Sequence, residues 1–246
     1  SDHNLGFTVP TVDGSEWPNL RLIAGVDISF IDDHEPGAVV DDGGQAHDSQ
    51  DALACVVVCE WPHLRPVYQD YLRVPLTVPY IPGFLAFREV EPLKQLIDRI
   101  PHAFTPQVVL VDGNGTLHPR RFGLACHLGI LTNLPTIGIG KNFLHIPAEG
   151  DQLSMAYVKA RAHSELVRGG DHFLLQGQQL VYGAAVRVLD SAKNPVFVSV
   201  GHRVALDTAV RLVVACCKFR VPEPVRLADL MSRDVVRRIQ RAANAS

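Results

Sequence analysis

The chain has 246 residues, of which 47 % are hydrophobic and 20 % are charged, a composition typical of a globular domain. No apolar run approaches the roughly 20 residues that a membrane-spanning helix needs, so we expect no membrane association. The net charge of −3 divides unevenly, because the last 46 residues hold nine Lys and Arg against four acids. A basic tail suits a phosphate backbone, although a solvated basic helix has the same composition.

The first third of the chain alternates apolar runs with turn-forming residues. Arg21–Ile31 predicts a mostly buried strand that is rich in β-branched residues. Residues 32–51 carry seven acids and no Lys or Arg, which predicts a flexible acidic loop. Strands are predicted over Ala52–Glu60 and Pro66–Leu76, and the short connection between them favours an antiparallel meander.

The middle of the chain predicts helices that alternate with short buried strands. A helix is predicted from Phe84 to Ile100, restarted or kinked at Pro92. Gln107–Asp112 is a continuous apolar run, which is typical of a strand buried on both faces. A second helix over 121–132 and a further buried strand over 135–140 follow.

The last hundred residues predict two more strands and two helices. The strands lie near Gln179–Leu189 and Pro195–Val200, and a helix extends from Leu206 to Phe219. A proline-interrupted segment then precedes a final basic helix that ends near Arg241.

The order of these elements predicts an α/β chain with an RNase H-like fold. Its mixed central sheet would have three antiparallel strands and then parallel strands, flanked by helices. We expect a single domain over 1–246, with flexible ends at 1–19 and 242–246. A right-handed crossover that returns the fourth strand parallel to the first would place Asp27 beside Asp112.

Three acids are candidates for a metal site. Asp27 and Asp112 both lie in apolar strands, where a carboxylate is costly unless it is paired or bound to a metal. Adjacent carboxylates repel each other unless a divalent cation lies between them. The alternatives are a turn role for Asp112 and an edge position for Asp27. Glu89 follows the rigid segment 79–83, which could hold its helix against the metal, although an isolated helical Glu is usually a surface residue.

His202 and Lys141 each follow a predicted strand and could border such a site. An isolated histidine is more often structural, whereas a lysine could contact a phosphate or the transition state. Nucleotide-cofactor motifs fail, because Gly113-Asn114-Gly115 has His118 where the dinucleotide motif needs a third glycine. The GIGKN run at 138–142 lacks the first glycine and the Ser or Thr of a phosphate-binding loop.

Six segments together resemble the endonuclease V family. They are GVDISF (25–30), PYIPGFLAFRE (79–89), LVDGNGTLHPRRFGLACHLGIL (110–131), LPTIGIGK (134–141), SVGHR (199–203) and FRVPEPVRLAD (219–229). The resemblance implies an RNase H-like endonuclease that recognises inosine and hydrolyses a phosphodiester bond on its 3′ side, one linkage beyond the nearest. It also implies Mg²⁺ as the cofactor, with Mn²⁺ as a substitute.

The resemblance assigns catalytic positions to particular residues. The family's metal and catalytic acids fall on Asp27, Glu89 and Asp112, with Glu89 contacting the metal directly or through water. The family's histidine falls on His202 and its lysine on Lys141. Asp229 matches a further acid near the site. Whether one or two metal ions bind stays open.

Substrate-binding positions follow from the same resemblance. Tyr80 matches the wedge that holds the strand open after the target base leaves it, and an aromatic in a stiff loop can replace lost stacking. The flanking wedge positions are Pro79, Ile81 and Pro82. Gly83, Leu85 and Gly113 match positions that line the base pocket.

The choice of nucleic acid depends on the branch of the family. Asn114, Cys126 and the pair Cys216-Cys217 look like the animal branch, whose members act mainly on single-stranded RNA. We therefore expect single-stranded RNA containing inosine as the substrate. DNA repair at deoxyinosine is one alternative. An inosine-RNA binding protein with incidental cleavage is another, although binding alone gains nothing from acids beside phosphates.

The expected surroundings of the protein follow from its cysteines and its first residues. The five cysteines form no CxxC pair, which argues against a disulfide framework or a structural zinc site and fits a reducing compartment. Ser1–Thr11 has no basic stretch followed by an apolar core, so we expect no secretory signal. We expect a monomer in the cytoplasm or the nucleus, including the nucleolus.

Overall fold

The computed structural model describes residues 1–10, 16–31, 50–76 and 85–243. Within these ranges eight strands form one sheet. The strands are β1 (Leu22–Phe30), β2 (Gln50–Glu60), β3 (Arg65–Leu76), β4 (Val108–Asp112), β5 (Thr136–Gly140), β6 (His172–Gln176), β7 (Val181–Val186) and β8 (Val196–His202).

Five α-helices in the described part of the chain flank this sheet. They are α1 (Leu85–Arg99), α2 (Leu124–Thr132), α3 (Met155–Glu165), α4 (Leu206–Ala215) and α5 (Glu223–Ala243). Short 3₁₀ segments lie at His102–Phe104 and Pro147–Leu153. None of the described helices is long and apolar enough to cross a membrane.

The strand order confirms the predicted mixed α/β sheet. The order is β3-β2-β1-β4-β5-β8-β7-β6, with β1, β2 and β3 antiparallel and β1, β4 and β5 parallel. The first five positions have the RNase H-like arrangement. Beyond β5, the sheet continues through β8, β7 and β6 in antiparallel pairs, an extension that the sequence did not predict in full.

The register between β1 and β4 places the two candidate aspartates next to each other. Val26 pairs with Val111 in parallel register, so Asp27 and Asp112 are the next residues on adjacent strands. Side chains alternate between the two faces of a strand. Ala24, Val26 and Val111 pack on the α1–α2 face, so Asp27 and Asp112 belong to the opposite face.

That opposite face is covered by α4 and α5. The approach of α5 to β1 is close, because a Cβ added to Gly25 would lie 2.1 Å from the backbone carbon of Pro224. Val225 and Ala228 are fully buried in the core on this side of the sheet. The packing therefore brings the second turn of α5, which carries Asp229, toward the two strand acids.

The α1 helix is continuous through Pro92, where the sequence predicted a restart or a kink. Proline removes one backbone hydrogen bond, the one that would otherwise reach the carbonyl of Arg88. Val90, Leu93 and Leu96 are buried against the sheet. Burial of this apolar side offsets the missing bond, which explains why the helix does not break.

The first residues of the chain contact the start of α4, and the flexibility expected over 1–19 stays a prediction. Both carboxylate oxygens of Asp2 accept hydrogen bonds at the start of α4, from the Ala205 amide at 2.7 Å and the Thr208 hydroxyl at 2.8 Å. Trp17 is only 5 % exposed. The end of the predicted acidic loop differs, since β2 begins at Gln50, whereas 32–49 lies outside the described residues.

Two elements between β5 and β7 were not predicted from the sequence. In α3 the apolar spacing is irregular and Val158 is the only fully covered side chain, so the helical period is weak. The β6 strand has only five residues, with Phe173 and Leu175 buried and their neighbours exposed. Such short alternating runs are hard to separate from loops by pattern alone.

Candidate active site

Three carboxylates meet at one edge of the sheet. Asp27 comes from the middle of β1, Asp112 is the last residue of β4, and Asp229 lies on α5. One oxygen atom from each lies within 4.8 Å of the others. The prediction that Asp27 and Asp112 lie side by side is therefore confirmed by the register, and α5 adds a third acid.

Asp27 is the most deeply buried of the three, with 4 % of its surface exposed. Its Oδ2 atom accepts a hydrogen bond from the Ser232 hydroxyl at 2.8 Å, and Ser29 lies 3.3 Å from the same oxygen. The two serine oxygens are themselves 2.7 Å apart. Burial and then the neighbouring Asp112 raise the pKa of Asp27 to about 7, although Ser232 and Lys141 oppose the rise.

Glu89 lies in the first turns of α1, which packs on the other face of the sheet, yet it is close enough for the charges of Asp112 and Asp27 to act on it. It is 8 % exposed, and its burial, followed by repulsion from Asp112 and Asp27, raises its pKa to about 8. The three oxygen atoms that lie mutually within 4.8 Å do not include one from Glu89. The structure therefore places Glu89 at the border of the aspartate cluster, and whether it contacts the metal directly or through water stays a prediction.

Lys141 bridges two of the aspartates. Its Nζ atom lies 2.6 Å from Asp112 Oδ2 and 3.1 Å from Asp229 Oδ1. Burial lowers the pKa of Lys141, but the three aspartates, with Asp112 the strongest, outweigh burial and raise it. The ammonium group is therefore charged and partly compensates the negative charge of the cluster.

Asp229 belongs to the cluster, although the family resemblance assigned it only as a further acid near the site and assigned Glu89 to the metal. Its Oδ1 atom accepts from Lys141 and also from the Arg233 guanidinium at 2.9 Å. Sequence reasoning could not rank it, because Asp229 is separated from Asp112 by more than a hundred residues. The signal that pointed to it was the FRVPEPVRLAD segment as a whole.

The residues present fit a divalent cation. Mg²⁺ prefers oxygen ligands and binds through a small number of carboxylates while keeping several waters. The three aspartates supply such a set, and burial followed by the neighbouring Asp112 raises the pKa of Asp27. Carboxylates that repel one another in this way gain stability when a cation neutralises them.

A glycine turn holds Asp112 in place. Gly113 has φ 144°, a backbone conformation that L side chains rarely adopt, and its amide donates to the Ile139 carbonyl at 3.1 Å. A Cβ added to Gly115 would lie 2.0 Å from the Val200 carbonyl oxygen. The Gly113-Asn114-Gly115 turn thus packs directly on β5 and β8, and this packing supports the carboxylate before it.

His202 is not brought to the acids, contrary to the position implied by the resemblance. It lies opposite Thr136 at the start of β5, whereas Asp112 lies opposite Ile139 near the end of that strand. Three residues along a strand span about 10 Å. The His202 Nδ1 atom lies 3.2 Å from the Leu134 carbonyl oxygen, a local contact at the far end of the sheet.

The substrate-binding positions are only partly covered by the structure. Residues 79–83, which include the Tyr80 wedge and Gly83, lie outside the described residues. Leu85 is the first residue of α1 and lies at the same end of this helix as Glu89. Gly113 directly follows Asp112, so it lies where a base pocket beside the acids would be. The pocket roles of these residues remain predictions.

The family model described as Endonuclease V matches residues 7–230 of the chain. Mouse endonuclease V is 45 % identical over 226 residues, which cover 90 % of this chain and 62 % of the mouse protein. The chain thus spans less than two thirds of the length of that relative.

Solved structures show the same likeness in three dimensions. The crystal structure of human endonuclease V has a TM-score of 0.79 and 42 % identity, with 90 % of this chain and 86 % of the human chain covered. Endonuclease V from Ciona intestinalis, crystallised with DNA that contains an inosine followed by a ribo-adenosine, has a TM-score of 0.75 and 33 % identity. That match covers 89 % of this chain and 87 % of the Ciona chain.

Proposed function

This chain belongs to the endonuclease V family, and we propose that it is a metal-dependent nuclease that cleaves single-stranded RNA at inosine. The cut falls on the 3′ side of the inosine, one linkage beyond the nearest. The observation that carries the proposal is the convergence of Asp27, Asp112 and Asp229 within 4.8 Å, bridged by Lys141.

Asp27, Asp112 and Asp229 are the residues that would hold Mg²⁺, or Mn²⁺ in its place. A bound ion supplies an activated water and stabilises the charge on the leaving oxygen. Glu89 would complete this set directly or through water, since its carboxyl is buried close enough for Asp112 and Asp27 to raise its pKa. Neutralisation of the cluster by the ion would also release the protons that burial and repulsion hold on Asp27 and Glu89.

The remaining polar groups position the reacting parts. The Ser232 hydroxyl donates to the Oδ2 atom of Asp27 and so helps to fix the orientation of this carboxylate. The Lys141 side chain is 29 % exposed, so its ammonium group can turn from the aspartates to a non-bridging phosphate oxygen. An ammonium at this position stabilises the negative charge that grows on the phosphate during hydrolysis.

The preference for RNA is supported by the likeness to the animal relatives and by the nucleic acid in the Ciona complex. That relative was crystallised with a strand in which a ribonucleotide follows the inosine. A ribose 2′-hydroxyl beside the cut distinguishes RNA from DNA. In this chain, the backbone of the Gly113-Asn114-Gly115 turn lies next to Asp112 and could bind that hydroxyl.

Cleavage of DNA at deoxyinosine is the second candidate function. The observation that favours it is the same Ciona complex, since most of its bound strand is DNA. A protein that reads one ribose locally would cut such a chimeric strand well and an all-DNA strand poorly. A protein that reads only the base would cut both.

The test compares four strands of one sequence in Mg²⁺ at physiological salt. They are inosine RNA, deoxyinosine DNA, the same DNA with one ribonucleotide after the inosine, and RNA with adenosine in place of inosine. We expect rapid cleavage of the first and third strands, at the second linkage 3′ to inosine. Equal rates on all-DNA would establish the DNA function, and equal rates on adenosine RNA would overturn inosine recognition.

A cytoplasmic or nuclear location, including the nucleolus, and a monomeric state belong to the same proposal. All five cysteines are free thiols, and four of them are buried, which suits a reducing compartment. Fractionation of cells that express the chain with an epitope tag would test the location. Light scattering of the purified protein would test the monomer.

A further inference from the structure

A groove of about 920 Å³ opens beside the aspartate cluster. One wall is α3, the other is the segment just before β8, and Lys141 lies among the residues that line it. Ligand-binding clefts in proteins have volumes of roughly 300–1,000 Å³, so the groove is large enough for more than one nucleotide. Neither the family likeness nor the aspartate cluster assigns a role to this groove.

The groove is strongly cationic. Lys159, Lys193, Arg187 and Arg220 line it together with Lys141, and no acid is among the lining residues that the structure describes. The two arginines are held by backbone carbonyls, with Arg187 Nη1 3.0 Å from Leu166 O and Arg220 Nη2 2.9 Å from Pro195 O. Their fixed guanidinium groups give the groove a permanent positive charge.

The two outer lysines are available to a ligand. Lys159 on α3 and Lys193 before β8 are both exposed. Neither forms an ion pair with any acid in the described ranges 1–10, 16–31, 50–76 and 85–243. By contrast, Lys94 pairs with Asp98 at 2.5 Å, and Lys218 donates to the His63 carbonyl at 2.7 Å.

The inner surface of the groove is apolar. Met155, which is 52 % exposed, lies there together with Phe143 and Phe197, whose ring centroids are 5.5 Å apart and which are each 7 % exposed. An apolar surface bordered by cations matches single-stranded nucleic acid, whose bases and sugars can contact the surface while its phosphates contact the rim. A small inorganic anion would use only the rim.

We propose that this groove binds the outer nucleotides of the strand, those more than about two positions from the inosine and the cleaved linkage, with Lys159 and Lys193 contacting their phosphates. The inference rests on the proposed function. It is supported by the position of Lys141, which lines the groove and also contacts Asp112 and Asp229, so that a strand bound in the groove would reach the aspartate cluster without interruption.

The test uses the double variant Lys159→Ala/Lys193→Ala and the matched control Lys94→Ala/Lys218→Ala, which removes the same charge outside the groove. Two inosine strands are compared, a short one with about two nucleotides on each side of the inosine and cut, and a long one with about ten. Cleavage in Mg²⁺ gives kcat and KM. Binding in EDTA over a range of salt concentrations gives the salt slope.

For the groove variant on the long strand, we expect KM to rise roughly tenfold with kcat unchanged. The slope of log K against log salt should fall by about 0.7 for each lost phosphate contact. The short strand and the control variant should be unaffected. Strands extended only 5′ or only 3′ should show which side of the cut occupies the groove.

Equal effects on the short and long strands, or no effect on either, would overturn the proposal that the groove binds the strand. The proposed function would remain intact. An equal loss in the control variant would show a general charge effect and would also overturn it. If the wild-type protein fails to cut any inosine strand, the proposed function fails and the groove proposal fails with it. Because both lysines are exposed, unfolding temperatures should remain within about 2 °C of wild type.

Discussion

The aspartate cluster and the cationic groove lie next to each other at one edge of the sheet. They differ in how firmly the structure holds their charged side chains. The three acids are held by β1, β4 and α5, and Asp27 is buried and fixed by Ser232. The lysines of the groove rim are exposed and unattached in the described chain. A reacting phosphate needs ligands fixed to within a fraction of an ångström, whereas binding of a flexible strand needs only charges within reach.

This difference has an energetic counterpart. Burying Asp27 beside Asp112 costs free energy, which appears as the raised pKa of Asp27, and a bound cation would offset this cost. Exposed lysines cost little and contribute little individually. Changes in the cluster should therefore act on the chemical step, and changes in the groove should act on binding.

The largest effect is expected for the acids. Asp27→Ala, Asp112→Ala and Asp229→Asn should each lower kcat by roughly a thousandfold, because each removes a proposed metal ligand, while affinity for the strand survives or improves. Single-turnover cleavage across a Mg²⁺ titration measures this. Asp98→Asn, at an exposed acid of α1, is the control and should be near wild type. An Asp229 variant that keeps half of the wild-type rate would show that α5 supplies no metal ligand.

The next effect concerns the metal-free protein. Asp27 and Glu89 have folded-state pKa values raised to about 7 and about 8. The folded state therefore binds more protons than the unfolded state between about pH 4 and pH 8. The contribution of these two carboxyl groups to the free energy of unfolding is greatest below their unfolded-state pKa values. It falls as the pH rises through their folded-state pKa values.

Thermal unfolding in EDTA from pH 5 to pH 8 tests this, with an expected fall of several degrees. The fall should be smaller in Asp27→Asn and Glu89→Gln, and Mg²⁺ should reverse it at pH 8. If the metal-free protein is equally stable at both pH values, the repulsion between these acids is weaker than the geometry indicates.

A smaller effect is expected for Ser232→Ala, which removes the hydroxyl that orients Asp27. Groups that orient a metal ligand typically contribute about 10- to 100-fold in metal affinity or activity. We expect the Mg²⁺ concentration for half-maximal rate to rise about tenfold, with most of kcat recovered at high Mg²⁺. Ser164→Ala, on the exposed side of α3, is the matched control. A loss that Mg²⁺ does not restore would indicate a direct role in the reaction.

The smallest effect is expected for His202→Asn. Its ring contacts the Leu134 carbonyl at the far end of β5, so cleavage should change by less than about twofold. Steady-state rates at saturating Mg²⁺ measure this. A loss of activity as large as that of the acid variants would show that His202 takes part in catalysis. It would contradict the position of His202 beside the start of β5.

Much of the fold was predictable because its central strands have strong local patterns. The runs that became β1 and β4 are apolar over most of their length, and Asp27 and Asp112 are the acids within them. The end of β8 and the α3–β6 region were less predictable. His202 follows a clear strand, but a strand's direction in the sheet depends on its partners, and β8 runs antiparallel to β5.

The sequence alone determined the identity of the family, the mixed sheet and the adjacent positions of Asp27 and Asp112, because each depends on residue type and local order. Asp229 was named only through the family resemblance, as a further acid near the site. Only the tertiary structure decided that Asp229 joins Asp27 and Asp112, since that depends on how α5 packs over Gly25. Only the tertiary structure also showed that Lys159 and Lys193, which lie in separate segments of the chain, line one cationic groove. Contacts between residues distant along the chain arise from the packing of whole elements, which local spacing does not specify.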